Sequence, residues 1–274
     1  MRIAIFGKTI APENEVYLKQ LIQELVDNHV DVVDCFAKHD PLDNNVDMLL
    51  SIGGDGTMLD AVPLVGASGI PMLGINMGRL GFISSVAKEE IHQAIVQILE
   101  GRYSTESRTL LELVAPQGVF HDKVNYALNE INIIRNPEHS LLAIKVFVND
   151  VFLNTYWGDG ILMATPTGST AYSLSAGGPI LTPDSHSFVI TPIAAHNLTV
   201  RPIVIPDNSV VRIQVEGREK KFVFSMDSRV CALDTSVELV VRKADFCIYT
   251  VRMEGTDFFS TIRNKLSWGK DNRN

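Results

Sequence analysis

Basic residues are in the minority: 24 Lys and Arg face 32 Asp and Glu, for a formal net charge of −8. Such a chain does not hold nucleic acid or an anionic membrane through a general basic surface. An anionic ligand must be met locally, by backbone N–H groups or a few Arg and Lys. Cysteine is also scarce. Cys35, Cys231 and Cys247 are far apart, odd in number and without metal-ligand spacing. They read as small apolar residues in a reducing compartment, which predicts a cytoplasmic protein. No apolar run approaches about 18 residues, so no membrane span is expected. The apolar run Ile3 to Phe6 before Lys8 is too short for a secretion signal. Repeats, low-complexity tracts and flexible linkers are lacking. The histidines show no ligand spacing, and no residue is assigned as a metal ligand.

What is present is an ordinary globular composition of 274 residues, 46% apolar and 20% charged, enough for one large domain or two modest ones. One stretch stands out. Met48 to Ile52 is an apolar run that suits a buried strand, and Gly53-Gly54-Asp55-Gly56-Thr57 follows at once. Apolar periodicity resumes at Met58, Leu59 and Val62, the mark of a helix, with Thr57 as its expected N-cap and Pro63 keeping it short or kinked. A glycine turn at a helix start presents free N–H groups and the positive end of the helix dipole, a combination that binds phosphate. Asp55 would repel phosphate. It makes sense if it handles a proton or a metal ion beside it, so the stretch points to phosphoryl transfer.

The flanking sequence predicts strands at Arg2–Phe6, Val30–Phe36 and Pro71–Ile75. Leu18, Leu21, Ile22, Leu25 and Val26 mark one amphipathic helix. Ile91, Ile95, Ile98 and Leu99 mark another, ending at Gly101. Alternating strands and helices predict a parallel α/β sheet, with ligands at the carboxyl ends of its strands. From Thr109 to Val241 the pattern is strand-like. Leu142, Ile144, Val146 and Val148 alternate before an Asn149-Asp150 turn; so do Val211, Ile213 and Val215, then Phe222, Phe224 and Met226, then Val237, Leu239 and Val241. Many short strands predict an antiparallel β-sandwich. Phe258, Phe259, Ile262 and Leu266 return to helical spacing and are expected to pack on the first domain. The expected division is 1–100 with 256–274 for the α/β domain and 101–255 for the sandwich.

Within the β region, Gly158-Asp159-Gly160 and Ala164 to Pro179 are dense in small and hydroxylated residues. Ordering such a segment is costly, which favours a binding loop over a plain surface loop. Its hydroxyls and N–H groups suit a sugar or a base. Asn129-Glu130 opens a strand at Ile131. The pair is suited to ribose hydroxyls but taken alone reads as a solvated strand end.

Together these stretches resemble the NAD kinase family. The likeness is carried by Gly53 to Thr57, by Leu73-Gly74-Ile75-Asn76 with Gly78 and Leu80-Gly81-Phe82, and by Asn129-Glu130. It extends through Asp159-Gly160, Thr165 to Tyr172, Ser175 to Pro179, Thr191-Pro192-Ile193, His196 and Arg201-Pro202. The resemblance implies transfer of the ATP γ-phosphate to the 2′-hydroxyl of the adenosine ribose of NAD, with a divalent cation, normally Mg²⁺. It implies an α/β nucleotide-binding domain plus a β-sandwich, in homodimers or homotetramers. Residue by residue, it implies Asp55 as proton acceptor, with Gly53, Gly54, Gly56 and Thr57 forming the phosphate loop and Gly56 also lying against the dinucleotide. Asn129 and Glu130 hold ribose hydroxyls. Asp159, Thr170, Ala171, Tyr172, Ser173, Leu174, Ser175 and Ala194 frame the NAD.

Two positions depart from the family pattern. Ala195 stands where proline is usual, and Asp227-Ser228-Arg229 where Asp-Gly-Gln is usual. The second opens the choice of dinucleotide or phosphate donor to Arg229. A lipid or sugar kinase with the same glycine loop, and a dinucleotide-binding regulator without catalysis, remain as alternatives. No acyl-chain pocket is evident for the first, and the retained Asp55 speaks against the second.

Overall fold

The computed structural model describes residues 1–8, 10–36, 40–78, 81–121, 124–136, 141–217 and 220–269. The chain forms two compact units, Met1–Ser107 with Ile248–Asn274, and Arg108–Cys247.

The first unit is built on a parallel sheet in the order Asp31–Asp34, Arg2–Gly7, Met48–Ile52, Pro71–Asn76. The register sets Ile5 beside Leu50 and Leu50 beside Leu73. Tyr249 and Thr250, near the end of the long Leu239–Met253 strand, pair with Pro71 and Met72. The Met48–Ile52 strand is buried along its whole length, as parallel strands covered on both faces must be. Leu21 and Leu25 of the Glu15–Asp27 helix and Ile91, Ile95 and Ile98 of the Ile91–Leu99 helix complete its core. The strand order reverses between Arg2–Gly7 and Met48–Ile52, so the turn after Ile52 lies at a switch point, where such sheets bind ligands.

Three local expectations are corrected. The helix after the glycine turn runs Asp55–Val65 with Gly54 as its N-cap, so Thr57 lies inside its first turn. Gly54 takes the extended backbone of an N-cap, φ −91° and ψ −169°, and the helix begins at the next residue. Pro63 lies inside that helix, which stops two residues later. Val26 and Leu99, the last apolar residues of their helical patterns, are 51% and 38% exposed, beside the buried Leu25 and Ile98. The Phe258–Leu266 helix buries Ile262, while Phe259 and Leu266 are 59% and 39% exposed. Phe258 is half-buried and stacks edge-on against Phe259, so only Ile262 of the four apolar residues is fully inside.

The second unit contains an antiparallel sheet in the order Ile203–Pro206, Ser187–Ile193, Gly160–Ala164, Glu130–Ile134, Lys221–Met226, Arg229–Asp234. Another antiparallel set runs Val151–Gly158, Leu142–Val148, Val211–Glu216, then Leu239 to Val241. Their inward side chains form one core that includes Ile133, Ile144, Phe188, Ile213, Phe222 and Phe224. Asn149 and Asp150 both take positive φ, 50° and 65°, as the tight hairpin between Val148 and Val151 requires. Val237 lies outside the strands; its N–H bonds back to Asp234 in a turn. Among the described residues no helix is long and apolar enough to cross a membrane.

Candidate active site

In the first unit the site is laid out by the turn after Ile52. Gly53 sits at φ 154°, and a side chain there would run into the Thr57 hydroxyl. Gly54 and Gly56 have nothing within 4 Å of where a Cβ would stand, so a ligand can reach this backbone closely. The peptide N–H groups of the first turn of Asp55–Val65 lie at the same place. The turn therefore has the geometry of a phosphate cradle.

Asp55 does not lean into that cradle unsupported. Its Oδ2 accepts the Phe82 N–H at 2.7 Å. Its Oδ1 accepts the Ile83 N–H at 3.2 Å, the Ser84 N–H at 2.9 Å and the Ser84 hydroxyl at 2.7 Å. Gly81 makes this possible, because a Cβ on it would overlap both the Asp55 carboxylate and the Ser84 hydroxyl. Gly81→Ala should therefore push Asp55 out of its seat. For an Asp55 that acts as the proton acceptor the resemblance implies, activity should fall roughly 100-fold or more, the scale of misplacing a reacting group by an ångström. Steady-state rates with both substrates saturating test this, and a variant at parental kcat would contradict it. Leu80, part of the same sequence motif, lies outside the described residues.

In the second unit, Asn129 immediately precedes the Glu130–Ile134 strand that Glu130 opens, and the two are 7% and 8% exposed, not the solvated strand end that the pair alone suggests. The backbone around them is fixed from two sides. The carboxylate of Asp227 accepts the N–H groups of Leu128, Asn129 and Glu130 at 2.7, 2.8 and 3.1 Å. The Thr165 N–H donates to Asn129 O at 2.9 Å, and the Thr165 hydroxyl donates to Leu128 O at 2.5 Å. Gly168 lies so close to the Asn129 carbonyl that no side chain fits there. The small-residue segment is thus packed directly against the Asn-Glu pair. What stays open is the pair's own chemistry: Asn129 Oδ1 and Glu130 Oε2 are buried without a hydrogen-bond partner. Such groups are costly unless a ligand completes them. Burial and the neighbouring Asp227 push the Glu130 carboxyl up to about 8, so it is mostly protonated at neutral pH. Burial also pushes Asp227 up, opposed by its three N–H donors and the nearby Arg229 cation.

The structure distributes the remaining sequence candidates unevenly. Asp159 donates its N–H to Ile193 O, which brings it next to Ala194. Ala194 has a positive φ of 45°. The Asp159 carboxylate accepts Arg135 Nε at 2.6 Å, a partner the sequence did not suggest. Thr170, Ala171, Tyr172, Leu174 and Ser175 lie on the partly exposed side of the segment. Ser173 is fully buried, and its hydroxyl is shared with Thr191 at 3.0 Å. Arg229 donates to the carbonyls of Val124 and Tyr126 and stacks over Phe120 at 5.5 Å. Its guanidinium thus serves its own unit's backbone. Asp227 was missed as a holder of Asn129-Glu130. The only sequence signal was an acidic residue opening a tight turn. Among the described residues no three His, Cys, Asp or Glu converge as metal ligands. The described residues therefore offer no cation cage of their own.

Residues 34–103 match the ATP-NAD kinase N-terminal domain and residues 128–253 the ATP-NAD kinase C-terminal domain. An NAD kinase from Flavobacterium johnsoniae is 42% identical over the whole of both chains. One from Bacteroides fragilis is 39% identical, again over the whole of both. Among solved structures, yeast NADH kinase complexed with NADH superimposes with a TM-score of 0.86 at 27% identity, over 99% of this chain and 89% of that one. An NAD kinase from Archaeoglobus fulgidus in complex with ATP shares the fold, with a TM-score of 0.80 at 24% identity over 97% and 99%. Matched end to end at this identity, with both family domains in order, the chain belongs to the NAD kinase family.

Proposed function

We propose that this enzyme transfers the γ-phosphate of ATP to the 2′-hydroxyl of the adenosine ribose of NAD, giving NADP. Family membership supports the reaction. The observation that carries the acceptor side is the buried pair Asn129 and Glu130, each with an unpartnered oxygen. A neutral Glu130 both donates and accepts, which matches a ribose diol. Asp159, Ala194 and the exposed side of Thr170 to Ser175 hold the rest of the dinucleotide. Gly53, Gly54, Gly56 and Thr57 form the turn that receives the ATP phosphates.

The chemistry is chiefly positioning and charge neutralisation. The 2′-oxygen forms its bond to the γ-phosphorus as the bond from that phosphorus to the β–γ bridging oxygen breaks, and ADP leaves. A sugar hydroxyl is a weak acid, so its proton moves late, to Asp55. A divalent cation, normally Mg²⁺, would neutralise charge on the ATP phosphates when bound. The working form in this reading is a cytoplasmic homodimer or homotetramer. The edge strand Val151–Gly158 supports this with Val151, Phe152 and Trp157 all more than half exposed.

The direct test supplies Mg-ATP and NAD to purified protein and reads NADP with an NADP-specific dehydrogenase. Absence of NADP would overturn the proposal. Glu130→Ala should raise KM for NAD roughly tenfold or more, the scale of leaving polar partners unmatched, with KM for ATP near parental. A change confined to the ATP constant would remove Glu130 from the acceptor side.

A further inference from the structure

Behind Asp55 lies a hydrogen-bond chain whose direction is fixed. The Gly78 N–H donates to Asn76 Oδ1 at 2.7 Å. A backbone N–H can only donate, so the carbonyl end of the Asn76 amide faces Gly78 and its NH₂ faces the other way. That NH₂ donates to Ser84 Oγ at 3.0 Å. With Asn76 donating to it, the hydroxyl of Ser84 turns its single proton to Asp55 Oδ1, 2.7 Å away. Asn76 and Ser84 are 2% and 0% exposed, so water does not compete for these groups.

The consequence falls on the two carboxylate oxygens unequally. Oδ1 carries three donors and Oδ2 one. Oδ2 is the oxygen with acceptor capacity left. A carboxylate held by backbone N–H groups alone can tilt with the loop that carries them. The Ser84 hydroxyl ties it instead to Asn76, at the end of the Pro71–Asn76 strand, and so to the sheet. We propose that Ser84 is a positioning residue for Asp55: kept as a donor by Asn76, it saturates Oδ1 and leaves Oδ2 to receive the substrate proton. This rests on the reading of Asp55 as proton acceptor.

The test compares full-length Ser84→Ala, Ser84→Thr, Asn76→Asp, Asp55→Asn and the Ser84→Ala/Asp55→Asn pair. The measurements are kcat, both KM values and melting temperature. Ser84→Ala should lower kcat roughly 10- to 100-fold with KM for NAD and ATP near parental. Ser84→Thr restores the hydroxyl and should recover most of that loss. Asn76→Asp keeps the shape but replaces the NH₂ with an acceptor. It draws the Ser84 proton away from Asp55 and should reproduce the Ser84→Ala defect. On the Asp55→Asn background, Ser84→Ala should add nothing to the loss of kcat, because it acts through Asp55. A structural role predicts equal losses on both backgrounds, in step with melting temperature, and that result would overturn the proposal. So would parental kcat in Ser84→Ala. If Ser84→Ala fails to fold, Asn76→Asp decides by the same criteria. The two readings separate cleanly. Parental kcat in Asp55→Asn sinks the acceptor role itself. A collapsed Asp55→Asn beside an unaffected Ser84→Ala and Asn76→Asp sinks only the Ser84 assignment.

Discussion

Asp55→Asn should lower kcat roughly 10²–10⁴-fold, the usual contribution of a positioned proton acceptor. NAD affinity, measured by calorimetry on the variant, should stay near parental. Removing a charge that repels phosphate should leave ATP binding intact or slightly tighter. The structure adds a second expectation. The carboxylate receives four donors, three on Oδ1 and one on Oδ2. An asparagine can turn its oxygen to the three, but its NH₂ then faces the Phe82 N–H. One partly buried donor loses its acceptor, at a cost of about 1 kcal/mol in stability. Catalytic loss and a modest drop in melting temperature should therefore appear together. Gly81→Ala provides the contrast, because it displaces the carboxylate without removing it. A metal-ligand role for Asp55 predicts a different signature, substantial rescue by raised Mg²⁺ or by Mn²⁺. Near-parental kcat in Asp55→Asn would leave Asp55 neither acceptor nor ligand.

The sequence disclosed the parts of this protein that depend on local pattern. A largely apolar run before three glycines announces a buried parallel strand and a close-approach turn, and Met48–Ile52 with Gly53 forms just that. Alternation with an Asn-Asp turn announces the Leu142–Gly158 hairpin. What stayed hidden depends on partners distant in the chain. Nothing near Ser84 shows that its hydroxyl will meet Asp55, 29 positions away, or near Asp227 that it will hold the backbone of Leu128 to Glu130, about a hundred away. Helix boundaries failed for a related reason. Thr57 has the right chemistry for a cap, but its hydroxyl lies where a side chain on Gly53 would stand, and the helix starts at Asp55. Periodicity marked the apolar residues of Phe258–Leu266 and not that Ile262 alone among them would be fully buried.

Glu130 gives the protein a stability that falls as pH rises. Burial, reinforced by the nearby Asp227, moves its carboxyl from 4.5 to about 8. Between those values the native chain holds a proton that the unfolded chain has released. Stability then decreases with pH, because the native state binds more protons than the unfolded one. The contribution is fully present below about 4.5, is lost progressively through the window, and levels off above about 8. Each tenfold change in proton affinity is worth roughly 1.4 kcal/mol, so the total is on the order of a few kcal/mol, a large share of the stability of a typical domain. Other groups titrate over the same range, so the informative quantity is a difference. Urea unfolding of the ligand-free protein at steps from about pH 5 to about pH 8.5, a range that brackets most of the titration, should show the parent losing ground to Glu130→Gln as pH rises. Glutamine keeps the shape of the protonated acid and cannot ionise, so the variant should match the parent at the acid end and exceed it at the alkaline end. Parallel curves would mean that Glu130 ionises in the native state without penalty. That would remove the physical basis for a neutral Glu130 meeting the ribose.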